Sequence, residues 1–128
     1  MAKIKVVLAD DHAVLRAGLR VLLNGEPDIE VIDEAADGLT AVRKARELHP
    51  NVIVMDISMP GMDGLEAIRQ VREKAPQVRT LVLTMHEGEE YILRALEAGA
   101  SGYVLKKAAH TDLLKAIRAV NRGEAFLG

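Results

Sequence analysis

Asp10 and Asp11 follow the apolar run Ile4-Lys5-Val6-Val7-Leu8-Ala9, and Asp56 follows Val52-Ile53-Val54-Met55. Thr84 follows Leu81-Val82-Leu83, and Lys106 follows Tyr103-Val104-Leu105. As parallel strands of one sheet, these runs bring all five polar side chains to its carboxyl edge, where open α/β sheets place their chemistry. Three carboxylates, one hydroxyl and one ammonium in a crevice suit a hard divalent cation and a phosphoryl group. Mg2+ takes oxygen ligands and keeps several waters, so two adjacent acids and a third carboxylate suffice without a closed cage. A carboxylate also accepts a phosphoryl group as an aspartyl-phosphate. The acceptor must then face its donor in line, with the charge on the equatorial oxygens neutralised. Mg2+ and Lys106 would neutralise that charge, and Thr84 would hydrogen-bond one oxygen. Asp56 is the best acceptor candidate. It stands alone after an apolar strand, beside the loop Ser58-Met59-Pro60-Gly61.

Taken singly, each residue has an ordinary explanation. An Asp just past a strand often caps the next helix. Thr is a common strand residue, and a loop Lys is usually solvated. Tyr103 reads equally as a strand aromatic, and Met59 and Met62 as packing residues of the loop. His12, His49, His86 and His110 show no metal-ligand spacing and read as surface residues. The weight lies in five suitable residues falling together at the correct strand ends.

Positioning them requires alternating strands and helices, and the pattern repeats five times. Strands are predicted over residues 3–9, 30–36, 51–55, 79–84 and 102–105. Between them, apolar residues recur at helical spacing: Val14, Leu15, Leu19, Leu22 and Leu23; Ala41, Val42 and Ala45; Leu65, Ile68 and Val71; Tyr91, Ile92, Ala95 and Leu96; Leu113, Leu114, Ile117 and Val120. Gly25, His49-Pro50, Pro76, Gly99 and Gly123 supply stops, and Thr111 is the expected cap of the fifth helix. The first, third and fourth strands are almost wholly apolar, as when helices cover both sheet faces. The second is mixed and belongs at an edge. Five βα units in 128 residues make a doubly wound sheet; a closed (β/α)8 barrel needs roughly twice the chain.

Composition narrows the classes further. The chain suits one domain with an aliphatic core, since Tyr91, Tyr103 and Phe126 are its whole aromatic set. It has no cysteine, which excludes disulfides and thiolate metal sites. A net charge of −2 with dispersed Lys and Arg gives no nucleic-acid footprint. No apolar run approaches the ~20 residues of a membrane span, and the amino terminus lacks a secretory signal. A cytoplasmic location is expected.

Together, Ala9-Asp10-Asp11-His12, the segment from Met55-Asp56 through Ser58-Met59-Pro60-Gly61-Met62-Asp63-Gly64, Leu83-Thr84-Met85 and Gly102-Tyr103-Val104-Leu105-Lys106 resemble the receiver domain of two-component response regulators. Arg16-Ala17-Gly18-Leu19 and Gly123-Glu124-Ala125-Phe126-Leu127 are similar to the NarL/FixJ subfamily. The resemblance implies a flavodoxin-like five-stranded parallel sheet of order 2-1-3-4-5 with five helices. It implies that Asp10, Asp11, Asp56 and the Ser58 backbone carbonyl hold Mg2+. Asp56 would accept phosphate from a cognate histidine kinase, Thr84 and Lys106 would bind the phosphoryl group, and Tyr103 would be the switch aromatic. Ser58 and His86 occupy positions that tune phosphoryl lifetime. Many receivers carry Pro after the Lys, where this chain has Lys107.

These features predict a receiver domain over residues 1–122, with 123–128 beginning a linker to a helix-turn-helix effector absent from the chain. The function expected is a phosphorylation-activated signalling switch that controls an output, transcription through that effector. It would be no enzyme toward a separate substrate, though it would catalyse its own aspartyl phosphorylation and dephosphorylation. Phosphorylation is expected to drive homodimerisation through the first and fifth helices, or through the fourth helix with the fifth strand and helix. Lys115, Arg118 and Arg122 are expected on the outside of the fifth helix. DNA would be met only through the effector, and no membrane is involved. A flavodoxin would need a hydroxyl- and Gly-rich phosphate loop where Asp10-Asp11-His12 stands. A haloacid-dehalogenase-type phosphatase would need a second Asp two residues after the nucleophile, where Ser58 stands. Rossmann and P-loop enzymes need Gly-rich loops that are missing. A pure protein-interaction domain with a vestigial site is the remaining alternative.

Overall fold

The computed structural model describes residues 2–85 and 88–128. Its strands are β1 (Ile4–Ala9), β2 (Ile29–Ala35), β3 (Val52–Asp56), β4 (Arg79–Thr84), β5 (Gly102–Leu105) and β6 (Phe126–Leu127). Between them run α1 (Ala13–Asn24), α2 (Gly38–Leu48), α3 (Gly64–Lys74), α4 (Glu89–Ala98) and α5 (Ala109–Asn121). All strand pairs are parallel, in the order β2-β1-β3-β4-β5-β6. The doubly wound sheet is as expected, with one addition.

That addition is β6. Phe126 pairs with Gly102 and Leu127 with Tyr103, so part of the 123–128 segment joins the sheet. A Cβ on Gly102 would lie 2.3 Å from the Phe126 carbonyl oxygen, so glycine is what lets the two backbones approach. Two residues carry too little alternation to announce a strand.

Alternating strand residues feed two cores. Val7, Ala9, Ile53, Met55 and Val82 face α2, α3 and α4, where they meet Ala41, Val42, Ile68, Val71 and Ala95. Val6, Leu8, Val54, Leu81, Leu83 and Val104 face α1 and α5, where they meet Leu19, Leu23, Leu113 and Ile117. Both faces of the central strands are therefore dry, which explains their unbroken apolar sequence. β2 lies at the edge and is mixed, with Glu30 exposed.

Helix starts differ from expectation in one place. Asp37 caps α2 by accepting from the Thr40 N–H at 2.7 Å, and Asp63 caps α3. Thr111 does not cap α5. A 3₁₀ turn over Lys106–Ala108 already leads into the helix, so Thr111 sits in its first turn and donates to the Ala108 carbonyl at 3.0 Å. Asp11 is not a cap either; His12 holds the N-cap position of α1, with no side-chain cap bond.

Candidate functional site

The carboxyl edge of the sheet gathers the polar residues. β1 ends at Ala9 and delivers Asp10 and Asp11, β3 ends on Asp56, β4 ends on Thr84, and β5 delivers Lys106. Asp56 is wholly buried, and Asp10 and Thr84 nearly so. Burying ionised carboxylates is costly unless charges or hydrogen bonds compensate them, and here they do. Lys106 Nζ lies 2.9 Å from Asp56 Oδ2 and 3.4 Å from Asp10 Oδ2. The Ser58 N–H donates to Asp56 Oδ1 at 2.9 Å. This turn is held close by Gly64, whose missing Cβ would stand 2.5 Å from the Ile57 carbonyl oxygen.

Asp10, Asp11, His12 and Asp56 each offer a ligand atom, all lying within 4.8 Å of one another. Its three carboxylates are hard oxygen donors, as Mg2+ requires, whereas the His12 imidazole suits softer cations. Asp10 Oδ2 is buried and has no hydrogen-bond partner. Such an atom is expensive to leave unsatisfied, and the Lys106 ammonium at 3.4 Å offers charge without a hydrogen bond. A divalent cation bound by this oxygen fits what the residues present. Ser58, beside Asp56 in the β3–α3 turn, directs its N–H at Asp56 Oδ1.

Two neighbours were not legible from spacing. From its spacing His12 reads as a surface residue, and its side chain is more than half exposed. Its Nδ1 nevertheless lies 3.1 Å from Asp10 Oδ1 and 3.0 Å from Lys106 Nζ. A neutral imidazole accepts from the lysine or donates to the carboxylate there, not both at once. Its place immediately after the acidic pair was the available signal. Tyr91, on α4, is the second. Burial first, and then the charges of Asp63 and Asp56, push its phenol pKa above the ordinary value. Tyr103, on β5, packs half-buried against the core on the α2–α4 side. His86 lies outside the described residues.

The response regulator receiver domain profile matches residues 6–118. This chain belongs to that receiver family. It is 45% identical over 124 residues to the oxygen regulatory protein NreC of Staphylococcus carnosus, covering 96% of this chain and 57% of that protein. The chain thus spans little more than half of that relative. A two-component response regulator of the LuxR family from Aurantimonas superposes with a TM-score of 0.92 at 41% identity, covering 98% of this chain and 89% of that one. The NarL signal receiver domain from Mycobacterium tuberculosis also gives 0.92, at 32% identity over 97% of this chain and 100% of that one. These likenesses support the NarL/FixJ subfamily for this receiver. No helix among the described residues is long and apolar enough to cross a membrane.

Proposed function

We propose that this receiver is a switch in which Asp56 takes a phosphoryl group from the phosphohistidine of a cognate histidine kinase. The supporting observation is the single buried carboxylate at the end of β3, with one oxygen fixed by the Ser58 N–H and the other by Lys106. Asp10, Asp11, Asp56 and the Ser58 carbonyl would hold Mg2+, which would supply positive charge to the phosphoryl oxygens. An Asp56 carboxylate oxygen attacks phosphorus, the P–N bond to the donor imidazole breaks, and the aspartyl-phosphate forms. Lys106 swings its ammonium from carboxylate to phosphoryl oxygen, and the Thr84 hydroxyl donates to another. A crevice of about 340 Å³ lies beside Thr84 and Lys106 and is lined also by Met85, Leu105 and Lys107. Water attacking the same phosphorus returns Asp56 and releases phosphate, with residues 58 and 86 tuning the rate. The chain acts on no separate substrate.

In the whole protein, the phosphorylated receiver would homodimerise and direct a helix-turn-helix effector to DNA in the cytoplasm. Residues 123–128 would begin the connection to that effector, with Phe126 and Leu127 anchored on β5. Acetyl phosphate with Mg2+ should add one phosphoryl group to the chain by intact mass. A chain that gains none would be an interaction module on a receiver fold.

A further inference from the structure

Asp10 carries four polar atoms, and three are pinned from different directions. Its N–H donates to the Ala35 carbonyl of β2 at 3.0 Å. Its carbonyl accepts from the Arg16 guanidinium, and its Oδ1 accepts from the His12 N–H at 2.8 Å. Only Oδ2 lacks a hydrogen bond. Arg16 is in turn held by Glu34, whose Oε1 accepts from its Nε at 2.6 Å. Glu34 directly precedes Ala35 in β2. A closed ring results: Asp10 to Ala35, along the strand to Glu34, across to Arg16 on α1, and back to Asp10. The planar guanidinium serves two acceptors at once, which a lysine ammonium on a flexible stem would not do in fixed geometry.

We propose that Arg16, oriented by Glu34, is a positioning residue that sets the affinity for Mg2+ by fixing the Asp10 peptide; the inference rests on the cation-binding reading above. Arg16 touches no ligand atom of the site. It limits how far the β1–α1 turn swings, and so keeps Asp10 Oδ2 aimed beside Asp11 and Asp56. Groups that orient metal ligands in this way typically change affinity by 10- to 100-fold when removed.

Simple electrostatics predicts the reverse sign. Arg16 is a cation near an acidic cluster, so deleting its charge would on Coulomb grounds tighten binding of a divalent cation. Arg20 provides the matching control. It also binds Glu34, through the other oxygen, but no hydrogen bond links it to Asp10.

The test titrates the unphosphorylated chain with MgCl2 and follows the backbone amide resonances of residues 10–12 and 56–58. Arg16→Ala should raise the midpoint roughly tenfold, Glu34→Gln should raise it less, and Arg20→Ala should leave it within about twofold of the parent. A midpoint in Arg16→Ala equal to or below the parent's overturns the proposal, as does an equal rise in Arg20→Ala. If Arg16→Ala does not fold, Glu34→Gln carries the test, and an unchanged midpoint there overturns it. A parent chain with no saturable shift at these amides would instead remove the cation-binding reading itself.

Discussion

Asp56 has both carboxylate oxygens oriented by neighbours, from the Ser58 N–H and from Lys106, so the acceptor is pre-aligned at little entropic cost. Thr84 is buried at the end of β4, and Tyr103 sits half-buried one strand away. A phosphoryl group would draw the Thr84 hydroxyl towards its oxygens and leave room for Tyr103 to turn inward. Thr84→Ala should therefore still be phosphorylated by acetyl phosphate, yet show much smaller amide shift changes at Tyr103. Shifts there equal to the parent's would break the coupling. The acidic pair, Asp56, Thr84 and Lys106 were legible because each ends an apolar run, and strand ends of a parallel sheet share one edge. His12 and Arg16 were not. Their partners lie on other elements: Lys106 is 94 residues from His12, and Glu34 is 18 from Arg16. Packing of α1 against β2 makes the Arg16–Glu34 pair, and the shared carboxyl edge of the sheet brings Lys106, after β5, to His12.

At the scale of elements, apolar period and stop signals located all five helices and the five longer strands, because burial on both sheet faces demands them. Starts were less legible, since capping depends on backbone geometry just outside the helix. Asp37 illustrates what a cap contributes. Its carboxyl is held below the ordinary value of 3.8, first by the Thr40 N–H and then by the Thr40 side chain. A carboxyl depressed on folding stabilises the native state above its unfolded pKa, and that contribution is lost as pH falls through the folded one. Asp37→Ala should therefore cost about 1 kcal/mol near neutral pH. The deficit should shrink as pH drops below 3.8, where the parent's cap becomes protonated. Urea unfolding of both proteins at neutral and acid pH measures this, and an unchanged deficit would mean the charge contributes nothing.

At the scale of the molecule, α1 carries exposed apolar side chains on the side it shares with α5, while Leu93 on α4 and Leu127 on β6 are exposed elsewhere. Val14 is 89% exposed and Val21 77% exposed on α1, above half-buried Leu15 and Leu22. The fifth helix contributes less free charge to this side than its sequence suggests. Arg118 is bound to Asp28 and Glu26, and Arg122 to Glu124, leaving Lys115 unpaired by any charged partner described. Pairing two copies by a two-fold axis would bury the valines against their equivalents. Light scattering should give a monomer for the unmodified chain and a dimer with beryllofluoride and Mg2+, and Val14→Glu with Val21→Glu should abolish the dimer. A chain that stays monomeric in both states would signal without self-association.

The central claim is that one carboxylate, Asp56, receives the phosphoryl group. The parent and Asp56→Asn should be incubated side by side with acetyl phosphate, with Mg2+ or with a chelator, and their intact masses compared. The parent should gain a single phosphoryl group only with Mg2+, and Asp56→Asn should gain none. Equal labelling of the Asn variant would contradict the assignment.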